Sequence, residues 1–459
     1  MPSEKPSSTS LPLSPSNACE RCRRGKRRCN RATPTCSTCQ KTGSRCTYND
    51  IPPASETLKW AHTDTHPAYV LESPAGSIRA VVLEALGSLE RVTRVCELYF
   101  LSTHPKFPIL SEAEIVQGLP SLFSTARMDF VALCLCILLV QQRPLGHSPA
   151  PNAAPIYSLA KICVSSLEAA GTYSIEVAQS KLLIVMYEVG HGIFPAASVS
   201  MGSCARSVKY LGFPADWSPS QKLKDQEGEN QAAGWMAHNL DRFINLYTGD
   251  AIMASEDAKE DDALPVGEGL LQDNQSSKVT IGTSNVFRVS QFSRECQVGY
   301  LVGRVVRHIY SPISDAAFHT AEASQLERTL YSYIPLLIEE EKLYSNYCGA
   351  MAMCFCSLFS LYAFPLLSSR TSKVNENYTW SKLEELSTEM SRLSEHLLKA
   401  AHDERDTFTQ SPYVPYALYP TAAIQLRLWH RTGVMAYKER ADVMIEILKQ
   451  FGKRWSSAG

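Results

Sequence analysis

Six cysteines between Cys19 and Cys46 are the residues best equipped for chemistry, in the order Cys19-X2-Cys22-X6-Cys29-X6-Cys36-X2-Cys39-X6-Cys46. Two Cys-X2-Cys pairs, each followed after six residues by a further cysteine, make two three-thiolate groups in near-duplicate. Zinc takes four soft ligands in a tetrahedron, so six thiolates satisfy two zinc ions only if two of them bridge. A stretch of about thirty residues cannot bury enough apolar surface to fold alone, so metal binding would supply its folding free energy. Six cysteines can also mark a disulfide framework. Here Met1 is followed by a Ser- and Pro-rich stretch without the apolar run of a secretory signal, which predicts a reducing compartment and free thiols.

The charges within this cassette point to its partner. Arg21, Arg23, Arg24, Lys26, Arg27, Arg28, Arg31, Lys41 and Arg45 face a single acid, Glu20, whereas the whole chain of 459 residues stands at −1. The excess positive charge is therefore local, and the rest of the chain is net acidic. A compact basic cluster on an acidic protein neutralises phosphates and releases counterions, which is the footprint of a nucleic-acid-binding module. The run Arg23-Arg24-Gly25-Lys26-Arg27-Arg28 concentrates this charge between the second and third cysteines. Such a run also serves as a nuclear localisation signal, and the sequence leaves room for both uses.

Along its whole length, ACERCRRGKRRCNRATPTCSTCQKTGSRC resembles the fungal Zn2Cys6 binuclear cluster, a zinc-dependent DNA-binding module of transcription factors, and Pro34 stands two residues before the fourth cysteine as that pattern has it. The resemblance implies two Zn2+ ions: one held by Cys19, Cys22, Cys29 and Cys36, the other by Cys36, Cys39, Cys46 and Cys19, with Cys19 and Cys36 bridging. It implies that the basic run is a short helix whose N-terminal end enters the major groove. Arg23, Arg24, Lys26, Arg27 and Arg28 become the DNA-contacting residues, with Lys26 on the family's base-contacting lysine. A lysine or arginine donating to guanine O6 and N7 is a chemically sensible reader of a G/C-rich, CGG-type triplet. Gly25 departs from the family's bulkier residue and lets backbone approach DNA closely.

Downstream, the composition is ordinary globular material, 44% hydrophobic and 20% charged. Residues 1–18 read as a disordered N-terminus, 19–46 as the zinc module and 47–77 as a flexible linker. Residues 78–459 read as a large all-α domain. Its first element is a single amphipathic helix over Ile78–Phe100, with Ile78, Val82, Ala85, Leu89, Val92, Cys96 and Tyr99 on one face. That stripe fits about three heptads and offers a dimerisation seam as well as a core-facing helix. Further helices are expected near 127–142, 155–170, 175–190, 196–211, 229–248, 290–311, 320–345, 346–364, 380–403 and 414–433, with a long surface loop over 250–285 and no strand alternation.

Two passages in this region, 178–213 and 234–265, resemble the all-helical middle homology region that follows the zinc cluster in many fungal regulators. Trp235, Leu240, Asp241 and Arg242 carry the likeness, with the acidic stretch that ends at Leu264-Pro265. The resemblance implies a nuclear regulator of RNA polymerase II promoters, of the kind that controls specialised-metabolite clusters or carbon use. Its implied partners are double-stranded DNA, a second copy or another regulator as dimer partner, and the transcription machinery. The competing class is an enzyme or cofactor-binding helical domain brought to DNA by its zinc module. No metalloprotease, phosphate-cradling or nucleophile-elbow motif supports it, so no enzyme is expected.

Other features have plain readings. The uncharged run Ala350–Leu367 fits a buried helix better than a membrane span, because Ser357, Ser360, Tyr362 and Pro365 interrupt it. Cys134 and Cys136, like Cys354 and Cys356, project about 200° apart on a helix and are read as packing residues. His191 between two glycines is read as a turn or packing histidine, and the Glu256–Asp262 acidic patch as a solvated loop.

Overall fold

The computed structural model describes residues 18–32, 34–48, 74–143, 154–212, 227–265, 279–284, 289–311, 315–344, 349–367, 376–400 and 411–458. The expected disordered N-terminus before Ala18 and most of the expected linker lie outside these. The chain divides into two compact units, Met1–Leu71 and Glu72–Gly459.

The first unit carries two short helices, α1 (Glu20–Arg24) and α2 (Ser37–Lys41), each starting directly after the first cysteine of a Cys-X2-Cys pair. Among the described residues of 18–48 the only buried side chains are Cys19, Cys22, Cys36 and Cys39, with Cys29, Cys46 and Tyr48 packed around them. The described residues of this unit have no apolar interior, and their thiols form the core.

The second unit opens with α3 (Pro74–Leu86) and α4 (Leu89–Ser102). The single helix expected over Ile78–Phe100 is broken at Gly87-Ser88. Gly87 takes φ +82°, a left-handed value that glycine adopts cheaply, and Ser88 Oγ accepts from Arg91 N at 3.2 Å to cap α4. Val82, Val92, Cys96 and Tyr99 of the stripe are buried in the unit's own core, which removes them as a dimerisation seam.

The chain continues through α5 (Glu112–Gly118), α6 (Met128–Val140), α7 (Pro155–Ala169), α8 (Ile175–Gly190), α9 (Phe194–Tyr210) and α10 (Glu227–Thr248). Then follow α11 (Gln291–Tyr310), α12 (Ala316–Tyr344), α13 (Gly349–Leu367), α14 (Glu376–Ala400), α15 (Val414–Thr432) and α16 (Met435–Gly452). The described residues of the unit contain helices, one isolated bridge between Ala263 and Thr280, and no strand. Helices α5 and α16 were not expected from the sequence.

α6 and α13 are apolar all round and sit at the centre, as such helices must. Among the described residues no helix is long and apolar enough to cross a membrane. Cys134, Cys136, Cys354 and Cys356 are all buried packing residues. The loop expected to be solvated over 250–285 is partly interior, with Ala258, Asp262, Leu264 and Ile281 buried.

Candidate metal centre and nucleic-acid interface

The two halves of the first unit repeat at an offset of seventeen residues, so that Cys19, Cys22 and Cys29 correspond to Cys36, Cys39 and Cys46. Geometry follows the register. Each half starts a one-turn helix after its first cysteine, and each ends it with the same loop bond: Arg27 N donates to Cys22 O at 2.9 Å, and Ser44 N to Cys39 O at 3.0 Å. In both halves the residue before that donor is left-handed, at φ +48° for Lys26 and +57° for Gly43. Glycine is the ordinary occupant of such a conformation, and a lysine there carries backbone strain.

The thiols converge. Cys19 Sγ lies 3.7 Å from Cys36 Sγ and 3.6 Å from Cys39 Sγ, and Cys22 Sγ lies 3.7 Å from Cys36 Sγ. A zinc–sulfur distance of about 2.3 Å places two sulfurs of a tetrahedral site about 3.8 Å apart. The donor set and its spacing therefore fit zinc. Cys19, Cys22, Cys36 and Cys39 form one group whose sulfurs lie within 4.8 Å of one another, and within it Cys19 and Cys36 each touch both inner sulfurs of the opposite half. Cys29 and Cys46 are half-buried and stand outside that group.

Electrostatics separate inner from outer thiols. Burial pushes Cys22 and Cys39 up, Cys39 to about 12. The backbone N–H of Cys19 holds Cys29 down to about 6, and the N–H of Cys36, 3.3 Å from Cys46 Sγ, holds Cys46 down likewise. Two bound Zn2+ ions would supply the cross-links that keep these sulfurs as thiolates and so fold the module.

Polar side chains tie the halves together. Asn30 Oδ1 accepts from Ser37 N at 2.9 Å at the start of α2, Thr38 Oγ1 donates to Arg28 O at 2.8 Å, and Tyr48 Oη donates to Ala32 O at 3.0 Å. These three were not singled out from the sequence. Short polar residues between ligands read as surface until their partners are known.

Arg23, Arg24, Lys26, Arg27 and Arg28 are all exposed. The basic run is not itself a helix: α1 ends at Arg24, Gly25 is its C-cap, and Lys26 turns away at positive φ. The basic residues thus crowd the C-terminal end of α1, where the carbonyl ends of the helix dipole favour cations, and not an N-terminal end. Beside them a groove of about 410 Å³ is lined by Arg21, Arg24, Arg27, Thr38 and Thr42, donors suited to phosphate oxygens, and by Glu20, which pairs with Arg24.

In the second unit the Trp and Leu-Asp-Arg residues share one task. Asp241 accepts from Ala254 N at 3.1 Å and from Ser255 N at 2.9 Å, and it pairs with the fully buried Arg242. Arg242 donates to Glu256 O at 2.7 Å and to Asp257 Oδ1 at 3.1 Å, and Trp235 Nε1 to Ala263 O at 2.9 Å. Together they pin the acidic segment 253–263 to α10. His191 is buried at the end of α8, its Nδ1 3.0 Å from Ser456 Oγ. Apart from the four inner cysteines, the described residues hold no cluster of three or more metal-ligating side chains.

The family model for the fungal Zn(2)-Cys(6) binuclear cluster domain matches residues 17–55. Transcription factor BOA15 of Botryotinia fuckeliana is 33% identical over 129 residues, which span 28% of this chain and 71% of that protein. Transcription factor tazR of Aspergillus terreus is 28% identical over 149 residues, 30% of this chain and 23% of the relative. This chain therefore spans about a quarter of the second relative's length.

Proposed function

The chain belongs to the fungal Zn(2)-Cys(6) binuclear cluster transcription factors, DNA-binding regulators holding two zinc ions, and from that premise we propose that it reads CGG-type half-sites in RNA polymerase II promoters. Lys26 is the base reader. The observation that carries this is its backbone: at a position where the other half of the module has Gly43, the chain keeps a strained, exposed lysine beside an exposed arginine run. Arg23, Arg24, Arg27 and Arg28 hold phosphates and set the register.

In this reading Cys19 and Cys36 bridge the two zinc ions, Cys22 and Cys29 complete one site, and Cys39 and Cys46 the other. The protein works in the nucleus, and the second unit modulates the reading head and meets the transcription machinery. The genes under control are those of specialised metabolism or carbon use.

One module covers about three base pairs, each worth about 1–3 kcal/mol, which is too little discrimination for a genome. A second reading head is therefore required, from another copy or another regulator. Because Val82, Val92, Cys96 and Tyr99 of the Ile78–Tyr99 stripe are interior, the pairing surface lies elsewhere.

Titration of the full-length protein on a CGG duplex and on random DNA at graded salt tests the assignment. Lys26→Ala should cost about 1–3 kcal/mol on the CGG duplex and little on random DNA, while Arg23→Ala weakens both alike and flattens the salt slope. Equal losses on both duplexes for Lys26→Ala would make it a phosphate contact only.

A further inference from the structure

A cavity of about 180 Å³ lies between α9 and α10 under the segment 253–256, and the DNA-reading function makes no use of it. Its walls are apolar on several sides: Ala205 and Val208 from α9, Ala237 from α10 and Met253 from the segment. The segment is held in place by Asp241 and Arg242, so the space is built into the fold. Its volume slightly exceeds the roughly 150 Å³ of an engineered cavity that holds benzene.

His238 lines this cavity and is only 2% exposed. Burial and the nearby Arg242 charge hold its imidazole well below the usual range, so the ring is neutral. Asn239 Nδ2 is turned to Cys296 Sγ at 3.6 Å, which leaves Asn239 Oδ1 facing His238 Nδ1 at 3.4 Å. Nδ1 then carries the proton, and Nε2 is an acceptor with no donor among the described residues. Trp235 meets the ring edge-on at 5.4 Å between centroids and fixes its orientation. At the rim Lys209 pairs with Glu256, so the mouth has no net charge to offer an ion.

We propose that this cavity binds a small uncharged ring compound of the phenol class, whose hydroxyl donates to His238 Nε2 while the ring packs against Ala205, Val208, Ala237 and Met253. The occupant touches α9, α10 and the acidic segment together, so it would act as an effector. That role, though not the binding itself, rests on reading the second unit as regulatory.

Calorimetric titration of the full-length protein with p-cresol, toluene and benzoate tests it. The p-cresol should bind about fivefold tighter than toluene, the hydroxyl's share, and benzoate about tenfold weaker than p-cresol or less. His238→Phe keeps a ring of similar shape, and in it p-cresol and toluene should bind alike. Ala205→Met, or Val208→Met should the first not fold, fills the space and should cut both affinities about tenfold or more. Saturable p-cresol binding that survives filling, or none at all in the folded wild-type protein, overturns the proposal. Loss of preference for CGG duplexes with p-cresol binding intact would overturn the DNA reading alone.

Discussion

The two units of this chain make their interiors from different materials. The described residues of 18–48 bury four cysteines and nothing else, whereas the unit from Pro74 onward buries a continuous apolar core that runs through α6, α8, α10, α11 and α13. A core of thiols has no hydrophobic driving force to fall back on and is stable only as far as metal binding makes it so. The reading head is thus a ligand-dependent fold attached to a packing-dependent one, and each should respond to a perturbation that leaves the other alone.

Zinc removal should show the largest difference. Structural zinc contributes about 10–16 kcal/mol to modules of this kind, far above the margin of any small fold. Stripping with a chelator should unfold residues 18–48 and leave the helical unit's thermal transition in place. Cys36→Ala should lose both metals because Cys36 would serve two sites, while Cys46→Ala keeps about one zinc. Elemental analysis with hydrogen exchange decides it, and two zincs retained in Cys36→Ala would refute the bridging assignment.

The converse perturbation lies at the far end of the chain. Trp455 packs against Gly190 so closely that a Cβ at Gly190 would fall inside its ring, and Arg454 donates to Val140 O and Gln142 O at the C-terminus of α6. Trp455→Ala should cost about 3–5 kcal/mol, and Gly190→Ala about 1–3 kcal/mol by overpacking. Both together should cost less than their sum, since removing the ring makes room for the methyl. Denaturant unfolding measures this. The zinc content should not change in any of the three proteins, and metal loss on Trp455→Ala would join the two cores that the structure separates.

The apolar core also holds one acid at a cost. Glu295 on α11 is buried with its Oε1 unpartnered, and burial raises it to about 8, with Lys106 and Asn239 working against the shift. Its folded value lies above its unfolded one. The stability it contributes is therefore full below about 4.5 and is lost as pH rises to about 8, where the unfolded chain ionises before the folded one. Tyr413 and Cys296 face it and stay protonated across that window, both raised by burial. Glu295→Gln should remove the dependence, gaining about 2 kcal/mol or more on wild type between the two ends of the window. Urea unfolding at both ends tests it, and parallel pH profiles would show that Glu295 is ionised in the fold.

How legible each unit was follows from the same contrast. A metal core is written in spacing, so the two triplets of cysteines carried the zinc reading without any tertiary information. A packed core is written in periodicity, which located helices such as Ile175–Gly190 but could not see their ends or pairings. Gly87 falls inside the stretch read as one continuous helix, because nothing local announces φ +82°. Glu256, Asp257, Glu260 and Asp261 of the acidic patch are solvated as read, but the buried Arg242 that anchors the segment lies across a turn and no local pattern announces it. The resemblance picks out Lys26 by its place after the second cysteine, and its strained backbone becomes visible only through its counterpart Gly43.

That counterpart supplies the smallest and sharpest prediction. Lys26 and Gly43 sit at equivalent places, both left-handed, but glycine takes φ near +50° without strain and a lysine does so at about 1 kcal/mol. Lys26→Gly should therefore stabilise the zinc-loaded module by about that amount, even as it removes the side chain that reads the base. Gly43→Ala should do the opposite, costing about 1 kcal/mol of stability with specificity intact; a Cβ there meets nothing within 4 Å, so the penalty is conformational and not steric. Most substitutions in a DNA-binding face change folding and binding in the same direction. Here the two should part: the Lys26→Gly module resists denaturant better and discriminates CGG from random duplex less. A Lys26→Gly protein that is less stable than wild type would mean that the lysine side chain supports the fold, and the strain at this turn could no longer be assigned to DNA reading.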